Sequence, residues 1–335
     1  MKQFEFPDRI RLANLPTPIE KLDRICVQWG GPQIYVKRDD LTGMALSGNK
    51  IRKLEFVIAE ARNQGADLLI TCGGVQSNHA RATAVAAAKL GMACYLVLRG
   101  SSDSPIDGNL LLDRLVGARI KFISAEDYSK RVDEIMAELA LQLKHDGFHP
   151  YIIPEGASNE LGCMGYVAAM AEINKQMAEL NFVFDHIICA TGSGGTQAGL
   201  ILGKKLFAPD CDVIGFNVCD DEAYFVRKIR HIATMAIERF SIPISLSERD
   251  IKIIDGYVGD GYALNRPEEI HFITELARTE GLILDPVYTA KAFLGLKDQI
   301  EKGRFSSKER ILFIHTGGLF GLFPKRELIV EQCSD

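Results

Sequence analysis

Four short segments of the sequence gather the glycine, hydroxyl, amide, imidazole and amine groups that could do chemistry. All four are rich in the small and polar residues typical of turns between strands and helices. In open parallel sheets, ligands bind beyond the carboxyl ends of the strands, so such turns are where we expect a binding site. The segments are SGNKIRKLEF (47–56), CGGVQSNHAR (72–81), ATGSGGTQAG (190–199) and IHTGG (314–318).

The segment 190–199 has the composition of a phosphate-binding turn. Gly192, Gly194 and Gly195 follow the apolar run HIICA and permit close backbone approach. A helix starting near Thr196 would direct unpaired N–H groups and its positive dipole at an anion. The dinucleotide-binding pattern GxGxxG is excluded, because Gln197 stands where the last glycine would be. A tight turn that only packs a helix against a strand remains the alternative for this segment.

The segment 47–56 presents a lysine at the start of a predicted helix. Lys50 precedes apolar residues at helical spacing, which continue through Leu54 and Ile58. A helix N-terminus disfavours the ammonium form, and burial would add to this by lowering the pKa. Lys50 is therefore a candidate nucleophile, with a solvated surface lysine as the alternative. Lys53, one turn later, is predicted to be solvated.

The segment 72–81 ends a strand and begins the alanine-rich helix ARATAVAAAKLG. Ser77 or Asn78 could simply cap that helix. The same hydroxyl and the exposed N–H groups also suit a substrate carboxylate, which is the functional alternative. His79 is predicted to lie on the helix surface, and no catalytic role is assigned to it.

The elements that position these segments follow a strand–helix rhythm. Residues 132–143 repeat apolar side chains at helical spacing, and Gly147 supplies a stop signal. We therefore predict an α/β fold with parallel sheets. The predicted strands are IYVK, DLLIT, CYLVL, RIKFI, PYIIP, HIICA, DVIGF and ILFIH.

Composition excludes several classes of function. The 335 residues carry a formal net charge of −5, which offers no broad cationic surface to nucleic acid. Neither a signal peptide nor an apolar run long enough to span a membrane is visible, so we predict a cytoplasmic protein. The eight cysteines are scattered and lack metal-ligand spacing, which predicts reduced thiols and no metal site.

Taken together, the four segments resemble those of the fold-type II (tryptophan synthase β-like) pyridoxal-phosphate enzymes. The branch they resemble holds D-cysteine desulfhydrase and 1-aminocyclopropane-1-carboxylate deaminase. The resemblance covers nearly the whole chain and keeps the order of the family's motifs. Further matching motifs are PTPIEKL (16–22), YVKRDDLTG (35–43) and GLILDPVYTAKAFLGL (281–296).

This resemblance implies an architecture. It predicts two open, twisted, mostly parallel sheets flanked by helices, in a large and a small domain with the active site between them. We assign residues 1–46 and 156–335 to the large domain and residues 47–155 to the small domain. The resemblance also implies a homodimer and a small amino-acid substrate.

Site roles follow from the resemblance position by position. Lys50 would bind pyridoxal 5'-phosphate covalently and then act as base and acid at Cα. Ser77, Asn78 and His79 would hold the substrate carboxylate, with Ser77 also counted as catalytic. Asn78 would meet the cofactor's phenolic oxygen, and Thr316 its pyridine nitrogen. The implied cofactor-binding residues are Asn49, Lys50, Asn78, Gly192, Ser193, Gly194, Gly195, Thr196, Thr289 and Thr316.

Two tyrosines complete the predicted site. Tyr262 in GYALNR and Tyr288 in DPVYTAK match the two that line the substrate side in this branch. Each could instead be a core residue with one satisfied hydroxyl. Which of them would move a proton at the β-carbon stays open.

The resemblance predicts a carbon–sulfur lyase that converts D-cysteine into pyruvate, ammonia and hydrogen sulfide. The deaminases resemble DPVYEGK, whereas Thr289 follows the tyrosine here, so the acidic group is absent. Ala290 also stands where the desulfhydrases usually resemble a glycine, which leaves the substrate's shape and stereochemistry open. The alternatives are a cyclopropane-carboxylate deaminase, an L-cysteate sulfo-lyase and a D-serine-type dehydratase or racemase. A non-catalytic pyridoxal-phosphate binder and a nicotinamide dehydrogenase are alternatives of other classes.

Overall fold

The β-branched runs of the sequence form two separate sheets in the computed structural model, which describes residues 4–208 and 210–333. A six-stranded sheet has the order β1-β2-β10-β7-β8-β9, and a four-stranded sheet has the order β5-β4-β3-β6. Every pairing is parallel except that of β1 with β2. The strands are β1 (Ile19–Lys21), β2 (Gln33–Lys37), β3 (Leu68–Gly74), β4 (Ala93–Arg99), β5 (Arg119–Ile123), β6 (Pro150–Ile152), β7 (His186–Thr191), β8 (Asp212–Asn217), β9 (Lys252–Ile254) and β10 (Arg310–Ile314).

Helices connect the parallel strands and cover the sheets. They are α1 (Asp23–Trp29), α2 (Asn49–Asn63), α3 (Asn78–Lys89), α4 (Gly108–Leu115), α5 (Ala125–His145), α6 (Met164–Leu180), α7 (Gly195–Phe207), α8 (Glu222–Phe240), α9 (Pro267–Glu280), α10 (Thr289–Glu301) and α11 (Arg326–Cys333). Short 3₁₀ helices lie at Asp39–Leu41, Glu155–Ala157, Glu248–Asp250, Leu319–Gly321 and Phe323–Lys325. None of the helices in the described part of the chain is long and apolar enough to cross a membrane.

Both faces of the inner strands β2, β3, β7, β8 and β10 are buried, which is why these strands are continuous apolar runs in the sequence. Successive residues of a strand point to opposite faces. In β2, Tyr35 joins one apolar cluster while Ile34 and Val36 join another. The first of these clusters also contains Leu69 and Leu96 from the four-stranded sheet. A shared core therefore joins the two sheets.

The sequence predicted this architecture closely. All eight predicted runs are strands, and α5 ends at His145, two residues before Gly147. The prediction missed β1 and β9, each only three residues long. The four-stranded sheet lies within residues 68–152 and the other sheet outside that range. The division at residues 46/47 and 155/156 remains a prediction.

Candidate active site

A cavity of about 400 Å³ opens where strand ends of both sheets meet the helix starts that follow them. Strands of parallel sheets end on the same side, so the turns after β3, β7 and β10 can converge there with the start of α2. Twelve predicted site residues line this cavity: Asn49, Lys50, Ser77, Asn78, His79, Gly192, Ser193, Gly194, Thr196, Tyr262, Tyr288 and Thr316. Two predicted residues, Gly195 and Thr289, do not line it.

Lys50 is the second residue of α2, and its side chain reaches the cavity. Burial lowers the pKa of Lys50 to about 8, although Glu155 and Asp285 act in the opposite direction. A substantial fraction of the amine is therefore neutral near physiological pH. No hydrogen bond or ion pair engages this amine within the described residues, so it is free to react.

The turn before α2 requires glycine. Gly48 has φ of +103°, and a Cβ there would come within 2.7 Å of the Thr316 carbonyl oxygen. The Asn49 N–H donates to that same carbonyl at 3.1 Å. This close approach places Lys50 beside Thr316, the residue implied to face the pyridine nitrogen.

The turn after β7 forms a cradle suited to phosphate. Gly194 has φ of +83°, and α7 begins at Gly195, one residue before the predicted Thr196. A Cβ at Gly195 would lie 2.7 Å from Ser158 Oγ and 2.8 Å from Lys53 Nζ. The N–H groups of the first helical turn have no acceptor within the helix, so together with the adjacent lysine they are suited to bind a phosphate group.

The prediction for Lys53 is wrong. This residue was expected to be solvated, but its side chain is fully buried, and its Nζ donates to the Gly156 carbonyl at 3.2 Å and to Ser158 Oγ at 3.0 Å. Ser158 in turn is 2.8 Å from Ser193 Oγ. Burial, followed by repulsion from Lys50, holds the pKa of Lys53 well below its usual range. A bound phosphate dianion would favour the charged form of Lys53.

Sequence reasoning missed Lys53 and Ser158 as cofactor-site residues. One signal was present, because residues three apart in a helix lie on the same face, and Lys53 stands three residues after Lys50. Ser158 lies far from the glycine turn in sequence, so no local pattern points to it. By contrast, the predicted pair Asn49 and Thr196 is brought together, with Asn49 Nδ2 donating to Thr196 Oγ1 at 3.0 Å.

The start of α3 presents donors to the cavity. Ser77 caps the helix, with Oγ accepting from the Ala80 N–H at 3.1 Å, so its own hydroxyl proton remains available to a ligand. Asn109 Nδ2 donates to Asn78 Oδ1 at 3.0 Å. That contact orients the Asn78 amide and leaves its Nδ2 as a donor. Ser77 can therefore cap the helix and bind a substrate carboxylate in the same geometry. Asn109 is a further positioning residue that sequence reasoning missed.

His79 was predicted to lie on the helix surface, but the structure buries it. Its side chain is 3% exposed, and Nε2 is 2.7 Å from Thr71 Oγ1. Burial, then the nearby Lys50 and Lys53, lowers the pKa of His79 well below its ordinary value. The imidazole is thus neutral at physiological pH and lines the cavity as an uncharged group.

Tyr262 and Tyr288 meet in the cavity wall. Their hydroxyl oxygens are 2.6 Å apart, and their rings are T-shaped with centroids 5.9 Å apart. Burial raises the pKa of Tyr262 to about 12, and burial with Tyr262 nearby raises that of Tyr288 well above its ordinary value. Both hydroxyls therefore keep their protons, and the pair can donate one to a ligand.

Thr289 lies behind the cavity wall. It is fully buried, its Oγ1 donates to Asp285 Oδ1 at 2.7 Å, and it accepts from the Asp285 N–H at 2.8 Å. These bonds hold the turn that carries Tyr288 at the start of α10. The placement therefore gives Thr289 a supporting position, without the direct access to the cavity that the resemblance implied.

Comparison with known proteins decides the family. A family model described as "Pyridoxal-phosphate dependent enzyme" matches residues 10–317. The chain belongs to this family of pyridoxal-phosphate dependent enzymes. Its cofactor is pyridoxal phosphate, and the fold-type II resemblance is confirmed. No group of three or more His, Cys, Asp or Glu side chains that could hold a metal ion occurs in the part of the chain described.

Curated relatives and solved structures narrow the branch of this pyridoxal-phosphate enzyme. It is 45% identical to a bifunctional D-cysteine desulfhydrase/1-aminocyclopropane-1-carboxylate deaminase of Arabidopsis thaliana, over 94% of this chain and 79% of the relative. A D-cysteine desulfhydrase of Yersinia pestis is 41% identical over 96% of this chain and 97% of the relative. The crystal structure of an ACC deaminase homologue has a TM-score of 0.89 at 39% identity, covering 98% of this chain and 97% of that one.

Proposed function

We propose that this enzyme catalyses β-elimination from D-cysteine, with pyruvate, ammonia and hydrogen sulfide as products. The relatives named D-cysteine desulfhydrase support the reaction class. The observation that carries the proposal is that the Lys50 amine and the hydroxyl pair of Tyr262 and Tyr288 line one cavity. Such a site can remove a proton at one carbon and assist the departure of a group from the next.

The cofactor site in this proposal comprises the cradle and its neighbours. Gly192, Ser193, Gly194, Gly195 and Thr196 would hold the phosphate, with Lys53 and Ser158 behind them. Asn49 orients Thr196 through their hydrogen bond. Asn78 would donate to the phenolic oxygen through Nδ2, which Asn109 orients. When bound, pyridoxal phosphate supplies an electron sink for the carbanion that forms at Cα.

Lys50 is proposed to be both the covalent anchor of the cofactor and the proton carrier at Cα. With a pKa of about 8, lowered by burial, the amine is a competent base at physiological pH. Ser77 would bind the substrate carboxylate through its free hydroxyl proton, together with the N–H groups at the start of α3. His79, neutral and buried, would add an uncharged contact on the same side.

The tyrosine pair is proposed to control protons near the β-carbon. Because both hydroxyls stay protonated, one can donate its proton to the departing sulfur. The other hydroxyl can then donate a hydrogen bond to the first. Such general acid assistance contributes about 10²–10⁴-fold to a rate.

A cyclopropane-carboxylate deaminase is the second candidate function. The printed name of the Arabidopsis relative joins both activities, which favours keeping it. Against it stands Thr289, an uncharged residue behind the cavity wall where the deaminases carry an acid. Opening an unactivated ring demands more assistance than expelling a thiolate does.

An elimination assay tests the proposal. Purified holoenzyme would be given D-cysteine, L-cysteine, β-chloro-D-alanine and 1-aminocyclopropane-1-carboxylate in parallel, with pyruvate, sulfide and oxobutanoate measured. We expect pyruvate and sulfide from D-cysteine at the highest kcat/KM. Oxobutanoate from the cyclopropane acid as the dominant product would move the assignment to the deaminase.

We further propose a homodimer in the cytoplasm, with residues 47–155 as the small domain and residues 1–46 and 156–335 as the large one. The placement of the four-stranded sheet within residues 68–152 supports the division. Sedimentation of the purified enzyme tests the dimer, and fractionation of the cells that produce it tests the location.

A further inference from the structure

Arg99 is a cation of the cavity to which the proposed reaction assigns no task. It is the last residue of β4, and it pairs in the parallel ladder with Gly74 at the end of β3. Because Gly74 has no side chain, Nη2 of Arg99 lies only 3.9 Å from where a Cβ would stand. The guanidinium therefore reaches over the strand end and lines the cavity.

Two aromatic rings hold this guanidinium. Its Cζ lies 5.4 Å from the centroid of the Tyr128 ring, on α5, and 5.5 Å from that of the Tyr262 ring. A guanidinium stacks on aromatic rings because the electron-rich face of the ring attracts a cation. Arg99 thereby contacts one member of the hydroxyl pair formed by Tyr262 and Tyr288.

The charge of Arg99 is not neutralised by an ion pair. Among residues 4–208 and 210–333, no carboxylate oxygen lies within 4.0 Å of its nitrogens, and it donates no hydrogen bond. Glu155 lines the same cavity, but its Oε1 accepts from the Tyr128 hydroxyl at 2.7 Å. A cation in this state stabilises negative charge that develops beside it.

The two tyrosines of the pair are not equivalent. Their hydroxyl oxygens are 2.6 Å apart, but in the part of the chain that is described only the Tyr262 ring carries a cation. Burial raises the pKa of Tyr262 to about 12, while the hydrogen bond with Tyr288 and the charge of Arg99 act against burial. Burial and then Tyr262 hold the pKa of Tyr288 well above its ordinary value. When the pair loses one proton, the charge therefore rests on Tyr262.

Two further titratable groups act on Tyr262. Glu155, in the 3₁₀ helix before α6, and Cys219, just after β8, raise the pKa of Tyr262 in addition to burial. Burial raises the pKa of Cys219 to about 12, so its thiol is neutral near physiological pH. Glu155 thus opposes a negative charge on Tyr262, and Arg99 offsets that opposition.

We propose that Arg99 is a positioning residue of the elimination, which holds negative charge on Tyr262 while the tyrosine pair gives a proton to the leaving sulfur. This inference rests on the proposed function. In that step the Cα proton passes to Lys50, the Cβ–S bond breaks, and its electron pair stays with the sulfur, which takes one proton from the pair. Transfer of the Lys50 proton to the pair through solvent restores both groups. One D-cysteine and one water then yield one pyruvate, one ammonia and one hydrogen sulfide.

A comparison of leaving groups tests this role. Wild-type, Arg99→Met and Arg99→Lys holoenzymes would be assayed for pyruvate release from D-cysteine and from β-chloro-D-alanine. Chloride departs without a proton, whereas the more basic sulfur needs one. We expect Arg99→Met to lower the ratio of kcat for D-cysteine to kcat for chloroalanine about 3- to 30-fold, the size of one cation–ring interaction. Both KM values should change little, and Arg99→Lys should restore part of the ratio.

A double-mutant cycle tests whether Arg99 acts through Tyr262. Tyr262→Phe removes the hydroxyl and keeps a ring on which the guanidinium can stack. In this background Arg99→Met should lower the ratio no further. An equal loss in both backgrounds would overturn the proposal, because Arg99 would then act on another group. A higher KM for both substrates with an unchanged ratio would overturn it as well, since that result assigns Arg99 to substrate binding.

Arg119→Met is the matched control for the loss of a stacked arginine. Arg119 also stacks on a ring, that of Phe148 at 5.7 Å, but it is exposed on β5 and does not line the cavity. Its replacement should leave the ratio and both KM values unchanged. A ratio lowered as much as in Arg99→Met would show that the effect is not specific to the cavity.

Fluorine NMR measures the effect of Arg99 on Tyr262 without turnover. With 3-fluorotyrosine in place of Tyr262, the fluorine signal of the holoenzyme reports ionisation of the phenol as the pH is raised. We expect its acid dissociation constant to be about 3- to 30-fold smaller in Arg99→Met. An unchanged constant would overturn the proposal. A wild-type enzyme that releases no pyruvate from either substrate would instead remove the proposed elimination, and the fluorine titration would still decide whether Arg99 acts on Tyr262.

Discussion

Lys50 and Lys53 stand on the same face of α2, and their different surroundings give them different tasks. The Lys50 amine projects into the cavity with no partner among the described residues, and burial lowers its pKa to about 8. Lys53 is bonded to Gly156 and Ser158 beneath the glycine turn. A reactive amine therefore lies one helical turn from a second lysine that faces the phosphate cradle, whose charged form a bound phosphate would favour. This division follows from contacts made by each side chain, since the residue type is the same.

Replacing Lys50 by alanine should abolish both the covalent attachment of the cofactor and turnover. The amine is the only part of the side chain that can do either task, so we expect a loss of at least about 10²–10⁴-fold in kcat. Borohydride reduction followed by peptide mass spectrometry would locate the cofactor at residue 50 in the wild type. Lys89→Ala, at an exposed lysine of α3, is the control and should keep both properties. A cofactor label on another lysine of the wild type would contradict the assignment.

At the scale of elements, close contacts with neighbouring side chains determine which residues can occupy the start of α7. Gly194 adopts a left-handed conformation, and Gly195 sits against Ser158 and Lys53 with no room for a methyl group. The helix N-terminus thereby reaches the cavity with N–H groups that have no acceptor within the helix. The Asn109–Asn78 bond acts similarly between α4 and α3, because it orients a donor on one helix from another.

Gly195→Ala should weaken cofactor binding more than folding. The added Cβ would lie 2.7 Å from Ser158 Oγ and 2.8 Å from Lys53 Nζ, so the side chains behind the cradle must move. We expect the Kd for pyridoxal phosphate to rise about tenfold or more, as for a lost hydrogen bond to a charged group. Equilibrium dialysis of the holoenzyme measures it. The Cβ of Gly321→Ala would meet no atom of residues 4–208 or 210–333 within 4 Å, so this variant is the control. An unchanged Kd in Gly195→Ala would show that the cradle does not hold the phosphate.

At the scale of the whole molecule, a buried ionic network ties the six-stranded sheet to the helix that carries Lys50. Arg52 of α2 bonds Asp39, just after β2, and Glu172 of α6. Lys37 of β2 bonds Glu172 as well, and the Tyr166 hydroxyl donates to Asp39 at 2.6 Å. Burial alone would raise the pKa of Asp39, but Arg52, Lys37 and the Tyr166 hydroxyl together outweigh burial, and the pKa lies below its ordinary value. The network therefore requires the ionised carboxylate.

Asp39→Asn should destabilise the protein and change how its stability depends on pH. Removing one partner from a buried ion pair costs about 3–5 kcal/mol in the free energy of unfolding. Because the folded pKa of Asp39 lies below the unfolded value near 3.8, its contribution is complete above that value and disappears as the pH falls through the folded pKa. Denaturant unfolding at neutral and acidic pH measures the difference, which should shrink on acidification.

The exposed pair of Glu126 and Lys130 on α5 supplies the control for that measurement. Both side chains are more than two-thirds exposed, so solvent screens their attraction. Glu126→Gln should change the free energy of unfolding little at any pH. An Asp39→Asn variant as stable as the wild type at neutral pH would show that the network contributes nothing.

The sequence by itself determined the local features of this protein. Strand patterns, the glycine turn before α7, the cap at Ser77 and the position of Lys50 at a helix start are all properties of short segments. Steric preference and hydrophobic periodicity act over a few residues, so they can be recognised in the sequence without knowledge of the fold. The family's motifs, in their order, added the cofactor and the two tyrosines.

Only the tertiary structure decided which polar groups meet. It buried Lys53 and His79, placed Thr289 behind the wall with Asp285, and left Arg99 facing the cavity with no ion-paired acid in the part of the chain that the structure describes. Lys53 and Ser158 are 105 residues apart in the chain. Burial and partnership depend on how distant segments pack, and these set the charge, the pKa and the orientation of each group.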